Sequence, residues 1–139
     1  MTLRIMLIII FVCLSKIAAA SEGIIYGAVY ECRAISVTEA MVKACSSQYP
    51  DISARSSKAY SAWLSRNGTK AEKAAQACIK ELRTLAKTES EEQQMLLKMD
   101  EIEKEMIEEF KKKINSEGVS ACSEAISQLE EGIAGVKFK

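Results

Sequence analysis

Residues 69–86 read TKAEKAAQACIKELRTLA. Ala71, Ala74, Ala75, Cys78, Ile79, Leu82, Leu85 and Ala86 recur there at steps of three and four. That spacing puts them on one stripe of an α-helix, with most of the lysines and glutamates on the other side. The small residues in the stripe let a neighbouring helix approach closely. Thr69-Lys70-Ala71-Glu72 has the form of a capping box, a hydroxyl for the N3 amide and a carboxylate reaching back to the N-cap amide. The stretch therefore predicts a helix from Thr69 to about Ala86.

Upstream, Asn67-Gly68 is a helix stop that supplies the positive-φ residue of a C-terminal cap. It would end a helix opened by Asp51, running to about Arg66 and carrying Ile52, Ala59, Tyr60, Trp63 and Leu64 on one face. Tyr49-Pro50 closes an earlier helix, because the residue before proline avoids the helical region. A second capping box, Ser36-Val37-Thr38-Glu39, opens that helix, which carries Met41, Val42 and Cys45. Ile24 to Tyr30 has strand-like composition but no strand to pair with, so an extended or short helical segment laid on the bundle is expected. Downstream, Ser90-Glu91-Glu92-Gln93 opens the longest helix, to about Ile114. Its stripe is Met95, Met99, Ile102, Met106, Phe110 and Ile114, and its acids come early and Lys111-Lys112-Lys113 late, as the helix dipole favours. A last helix runs from about Val119 to Glu131, with Val119, Cys122, Ile126 and Leu129 on one face and Gly132 after it. The tail from Gly135 to Lys139 belongs to no element. The fold class is all-α: an antiparallel bundle of four to five helices, stapled by disulfides.

The chain opens differently. Arg4, the apolar run Ile5 to Leu14 and the small residues Ala18-Ala19-Ala20 have the three parts of a cleavable export signal. The apolar run is shorter than the roughly 20 residues that span a membrane, and Lys16 interrupts it. Cys13 follows Val12, which does not suit a lipid-attachment site. The expected organisation is a signal peptide over residues 1–20 and a single helical domain over residues 21–139, with the mature protein periplasmic or secreted. No stable membrane insertion is expected once the signal is cut. The chain holds 19 basic and 19 acidic residues. Loss of Arg4 and Lys16 leaves two acids in excess, a balance with no general field for nucleic acid or anionic lipid.

Cys32, Cys45, Cys78 and Cys122 remain, an even number suited to two disulfides in an oxidising compartment. Zinc would want closely spaced ligands and usually a histidine, and the chain has no histidine. Three pairings are possible. With strictly alternating helices and a turn at Gly68, Cys45 and Cys78 lie roughly 15 and 12 Å above that turn. Cys32 and Cys122 lie roughly 4 and 5 Å below it. A bridge needs Cα atoms within about 7 Å. The expected pairs are thus Cys45–Cys78 and Cys32–Cys122.

Without histidine, neither a Ser-His or Cys-His nucleophile pair nor the Glu-x-x-His motif of di-iron bundles can form. No phosphate-binding glycine loop occurs. Glu101, Glu105, Glu108 and Glu109 lie close together but alternate with lysines, as on a solvated face. The reading is of a non-enzyme with no cofactor and no metal. Tyr60, Trp63 and Arg66, at i, i+3 and i+6, are the candidate interaction face, since these residue types dominate hot spots. The same spacing also fits Tyr60 and Trp63 in the core with Arg66 covering them. Met95, Met99 and Met106 could line an adaptable apolar groove, although core filling accounts for them on the buried stripe. Asn67-Gly68-Thr69 matches an N-glycosylation sequon, relevant only in a eukaryotic secretory pathway.

The series Cys32, Ala44-Cys45, Tyr49-Pro50, Tyr60, Trp63 and Arg66-Asn67 resembles small uncharacterised envelope proteins of Gram-negative bacteria. It is distantly similar to the cysteine-containing helical domain of some bacterial lysozyme inhibitors. That resemblance covers roughly a third of the mature chain. It departs in the spacing of Glu39 to Cys45 and in the long fourth helix. It implies an exported helical binding protein and carries over no inhibitory residues. The expectation is an interaction or inhibitor module whose partner is another protein. The alternative is a carrier of a small apolar ligand in a cavity between helices.

Overall fold

The structure is a computed structural model that describes residues 27–132. The expected signal segment, residues 1–20, Ile24 to Tyr26 and the tail from Gly135 lie outside the described residues. Four α-helices are described: α1, residues 27–48; α2, Ser53–Leu85; α3, Glu89–Glu117; and α4, Val119–Glu131. They form the expected all-α antiparallel bundle, held by two disulfides.

The helices divide differently from the sequence expectation at two places. The first is Ser36, which lies inside α1 and caps nothing; its hydroxyl donates to the Arg33 carbonyl instead. Thr38 of the same box is buried and shares a 2.9 Å hydrogen bond with the Tyr30 phenol. Tyr30 thus belongs to a helix that begins well before Ser36, and burial pushes its phenol above the usual 10.0.

The second difference is Asn67-Gly68-Thr69, which is not a stop. α2 runs unbroken through it, and Gly68 has no positive φ. The Asn67 side-chain amide donates to the Trp63 carbonyl one turn back. A glycine inside a helix costs about 1 kcal/mol relative to alanine. Burial of Ala59 and Trp63 on one side of it and Ala71 and Leu82 on the other offsets that cost.

Other punctuation lies within a few residues of where the sequence placed it, although Asp51, expected to cap the second helix, lies inside a 3₁₀ turn and caps nothing. Pro50 opens a short 3₁₀ turn, Pro50–Ile52, that leads into α2. Thr88 caps α3 by accepting from the Glu91 amide, while the Glu91 carboxylate accepts from the Lys87 amide, so the box sits two residues before Ser90. Gly118 alone joins α3 to α4. Its φ of 69° with ψ of −150° is backbone that only glycine adopts readily. α4 ends at Gly132, as expected.

The unbroken α2 changes the disulfides. The structure pairs Cys32 with Cys78 and Cys45 with Cys122, at Cα separations of 5.7 and 5.6 Å. The expected pairs, Cys45–Cys78 and Cys32–Cys122, do not form. The physical reason is the missing turn at Gly68. Cys78 does not come back to the level of Cys45 but lies about 37 Å along α2, beside the early part of α1. α3 then returns over its full length, so Cys122, in the first turn of α4, reaches the end of α1 where Cys45 sits. The Gln48–Asn115 hydrogen bond marks the same level.

The core has two parts. Ala34 and Val42 of α1, Ala59, Trp63 and Ala71 of α2, and Ile126 and Leu129 of α4 form the larger. Around the Cys45–Cys122 bridge, Ile114 and Ala121 complete the smaller, with Tyr49, Ile52 and Phe110 against it. Ion pairs join the helices outside the core: Arg33 with Asp100 and Glu103, Arg55 with Glu130, and Lys113 with Glu124. Among the described residues, no helix is long and apolar enough to cross a membrane.

Candidate functional site

The three residues of the candidate interaction face do not share one environment. Trp63 is 1% exposed and belongs to the larger core. Arg66 reaches across to α4, where its guanidinium donates to the Leu129 carbonyl. That carbonyl stands in the last turn of α4 and also accepts from the Gly132 amide, so Arg66 adds a side-chain donor to the C-terminal cap. Trp63 and Arg66 are therefore engaged inside the fold. Tyr60 is different: it is half-buried, and its ring stacks on Trp63 at 6.2 Å between centroids with 14° between planes. Tyr60 also packs against the larger core, so the fold holds the phenol ring in place while part of it borders the surface.

Tyr60 borders a cleft of about 370 Å³ between α1 and α2. From α1 come Glu39, Val42, Lys43, Ser46 and Ser47; from α2 come Ser53, Ser57, Tyr60 and Ser61. Val42 is buried and forms the floor. Glu39 and Lys43 pair across one helical turn at 2.7 Å, which leaves the cleft without a net charge. Partial burial raises the Tyr60 phenol above its usual 10.0, the Glu39 charge adds to that, and Lys43 opposes it. The group is a neutral donor and acceptor at physiological pH. None of the five serine hydroxyls hydrogen-bonds to another described residue, whereas Ser56 next to them donates back to Ile52. The expectation from sequence included Tyr60 but missed the serines. Their signal was legible: Ser53, Ser57 and Ser61 recur at steps of four on one face of a helix.

The other candidates are accounted for by the fold. Glu101, Glu108 and Glu109 pair with Lys98, Lys111 and Lys112 on the exposed side of α3. Met99 and Met106 are half-buried, and Met95 is 38% exposed. Met106 joins Met41 and Phe110 in a groove of about 430 Å³ between α1 and α3. This groove and the Tyr60 cleft both open to solvent rather than enclosing a cavity. No cluster of three or more metal-ligating side chains occurs among the described residues. The sequon asparagine lies within α2 with its amide turned to the Trp63 carbonyl.

Compared with protein-family models, with curated proteins and with solved structures, the chain matches none.

Proposed function

We propose that the protein is an exported, disulfide-bonded helical binding module that engages another protein through the face between α1 and α2, and that no chemistry occurs there. The observation that carries this reading is Tyr60: an aromatic ring fixed on a buried tryptophan, at the edge of an open cleft, on a frame stapled at both ends of α1. Rigid aromatic side chains bind with little loss of conformational entropy, and Tyr is among the residues enriched in hot spots. Disulfides belong to compartments outside the cytosol, and the first twenty residues have the form of an export signal. Inhibition of the bound partner is one way such a module works. The carrier alternative gains nothing from clefts that open to solvent, since bound ligands of drug size are mostly enclosed.

Affinity capture tests the reading. Mature protein beginning at Ser21 should retain a reproducible partner from the extracytoplasmic fraction of its own cell. Tyr60→Ala should lose that partner while remaining folded, its melting temperature lowered by a few degrees through loss of the stacking on Trp63; Tyr60→Phe should keep the parent's melting temperature. Equal capture by parent and variant would refute the assignment of the binding face.

A further inference from the structure

The chemistry of the Tyr60 cleft names the group it recognises. We infer that the cleft binds a neutral saccharide carried by the partner protein; the inference rests on the binding face proposed above. Three features carry it. First, the hydroxyls of Ser46, Ser47, Ser53, Ser57 and Ser61 line both walls, and none hydrogen-bonds to another described residue. A hydroxyl donates once and accepts twice, which matches the mixed donor and acceptor pattern of a sugar. Ser47, Ser57 and Ser61 are exposed, so they are not small for the sake of close helix packing.

Second, among the described residues that line the cleft the only charges are Glu39 and Lys43, and they neutralise each other at 2.7 Å. A phosphate or carboxylate ligand would have to break that pair and would meet a single cation, with no guanidinium fork available. A neutral ligand keeps the pair and can hydrogen-bond to both of its members. Third, Tyr60 lines the cleft beside these polar groups, its ring held by Trp63 and the core. The apolar C–H face of a pyranose can lie on such a ring while its hydroxyls reach the serines. An apolar peptide segment would leave the same serines without partners, which is costly. The cleft is open, so binding to a short oligosaccharide is weak, with a Kd of about 1 mM.

The test is a titration of ¹⁵N-labelled mature protein with maltotriose and with chitotriose, followed by amide chemical shifts. One of them should shift amides within residues 39–47 and 53–61 and leave α4 unmoved. Ser57→Ala combined with Ser61→Ala, at exposed positions that leave the fold intact, should weaken binding about tenfold. Tyr60→Ala should remove it, while Tyr60→Phe should retain most of it. Inorganic phosphate at equal ionic strength should shift these amides less than the sugar does. Absence of localised shifts at about 10 mM of either sugar would overturn the inference, and so would a stronger response to phosphate. Competition separates the sources: if a captured partner is released by the sugar and no longer binds after enzymatic deglycosylation, the glycan is protein-borne. Sugar binding with neither effect would overturn the protein-borne source and point to a free polysaccharide. If Tyr60→Ala abolishes capture but no sugar binds, the saccharide inference fails and the binding face stands.

Discussion

Replacing Gly68 with alanine asks whether α2 is one helix or two. In the structure Gly68 is helical, without positive φ, and a Cβ placed on it would meet only Leu64 Cγ, at 3.5 Å. That is ordinary van der Waals contact, so no neighbour has to move. Alanine is favoured over glycine in a helix interior by about 1 kcal/mol, in part because the unfolded chain loses freedom. For a domain of this size, with an unfolding entropy of about 2.1 cal/mol/K per residue, the gain corresponds to a rise in Tm of about 4 °C. Had the chain turned at Asn67-Gly68 with glycine in the left-handed region, alanine would instead cost about 1–2 kcal/mol. The sign alone decides. Thermal denaturation followed by circular dichroism at 222 nm, with both disulfides intact, is the assay. A fall in Tm would refute the continuous helix, and with it the physical reason offered for the disulfide pairing.

Non-reducing peptide mapping should recover Cys32 linked to Cys78 and Cys45 linked to Cys122; a Cys45–Cys78 peptide would restore the turn at Gly68. Trp63→Ala empties the centre of the larger core and should lower stability by about 3–5 kcal/mol in denaturant titrations. A loss below about 1 kcal/mol would show that the indole is not buried as described. Arg55 holds the Glu130 carboxyl below its usual 4.5 by a hydrogen bond, so this pair stabilises the fold above that pH and ceases to do so as pH falls through the shifted value. The difference in Tm between the parent and Glu130→Gln, small because the pair is exposed, should therefore shrink between about pH 7 and pH 3. A difference that grew on acidification would contradict it. N-terminal sequencing of exported protein should start at Ser21 or within a residue or two, and an intact Met1 would remove the export signal from the argument.

Helical class and several boundaries were open to a local reading. The stripe of residues 71–86 has the period of a helix whatever it packs against, and proline at position 50 interrupts helical backbone by its own geometry. Val119 to Glu131 has its expected ends; Gly132 marked the second in the sequence, and the structure adds Gly118 at the first, both at positive φ. Tyr60 was open to two readings, interaction face or core, and the structure gives it a share of both; the serine spacing of four was there to be seen beside it. Whether Ser36-Val37-Thr38-Glu39 and Asn67-Gly68 punctuate a helix or lie within one was not a local matter. A capping hydrogen bond and a helix-interior glycine each amount to about 1 kcal/mol, so local preference leaves the two outcomes nearly balanced. Burial of Trp63 and Ala71 on one continuous face, and the bridge from Cys32 to Cys78, tip that balance from residues distant in the chain. Once α2 is continuous, the height of every later residue along the bundle changes. Cys122 then meets Cys45, Arg66 finds the last turn of α4, and Tyr60 faces the serines of α1 across a cleft. Periodicity is a property of the chain alone; register between helices is a property of the contacts they make.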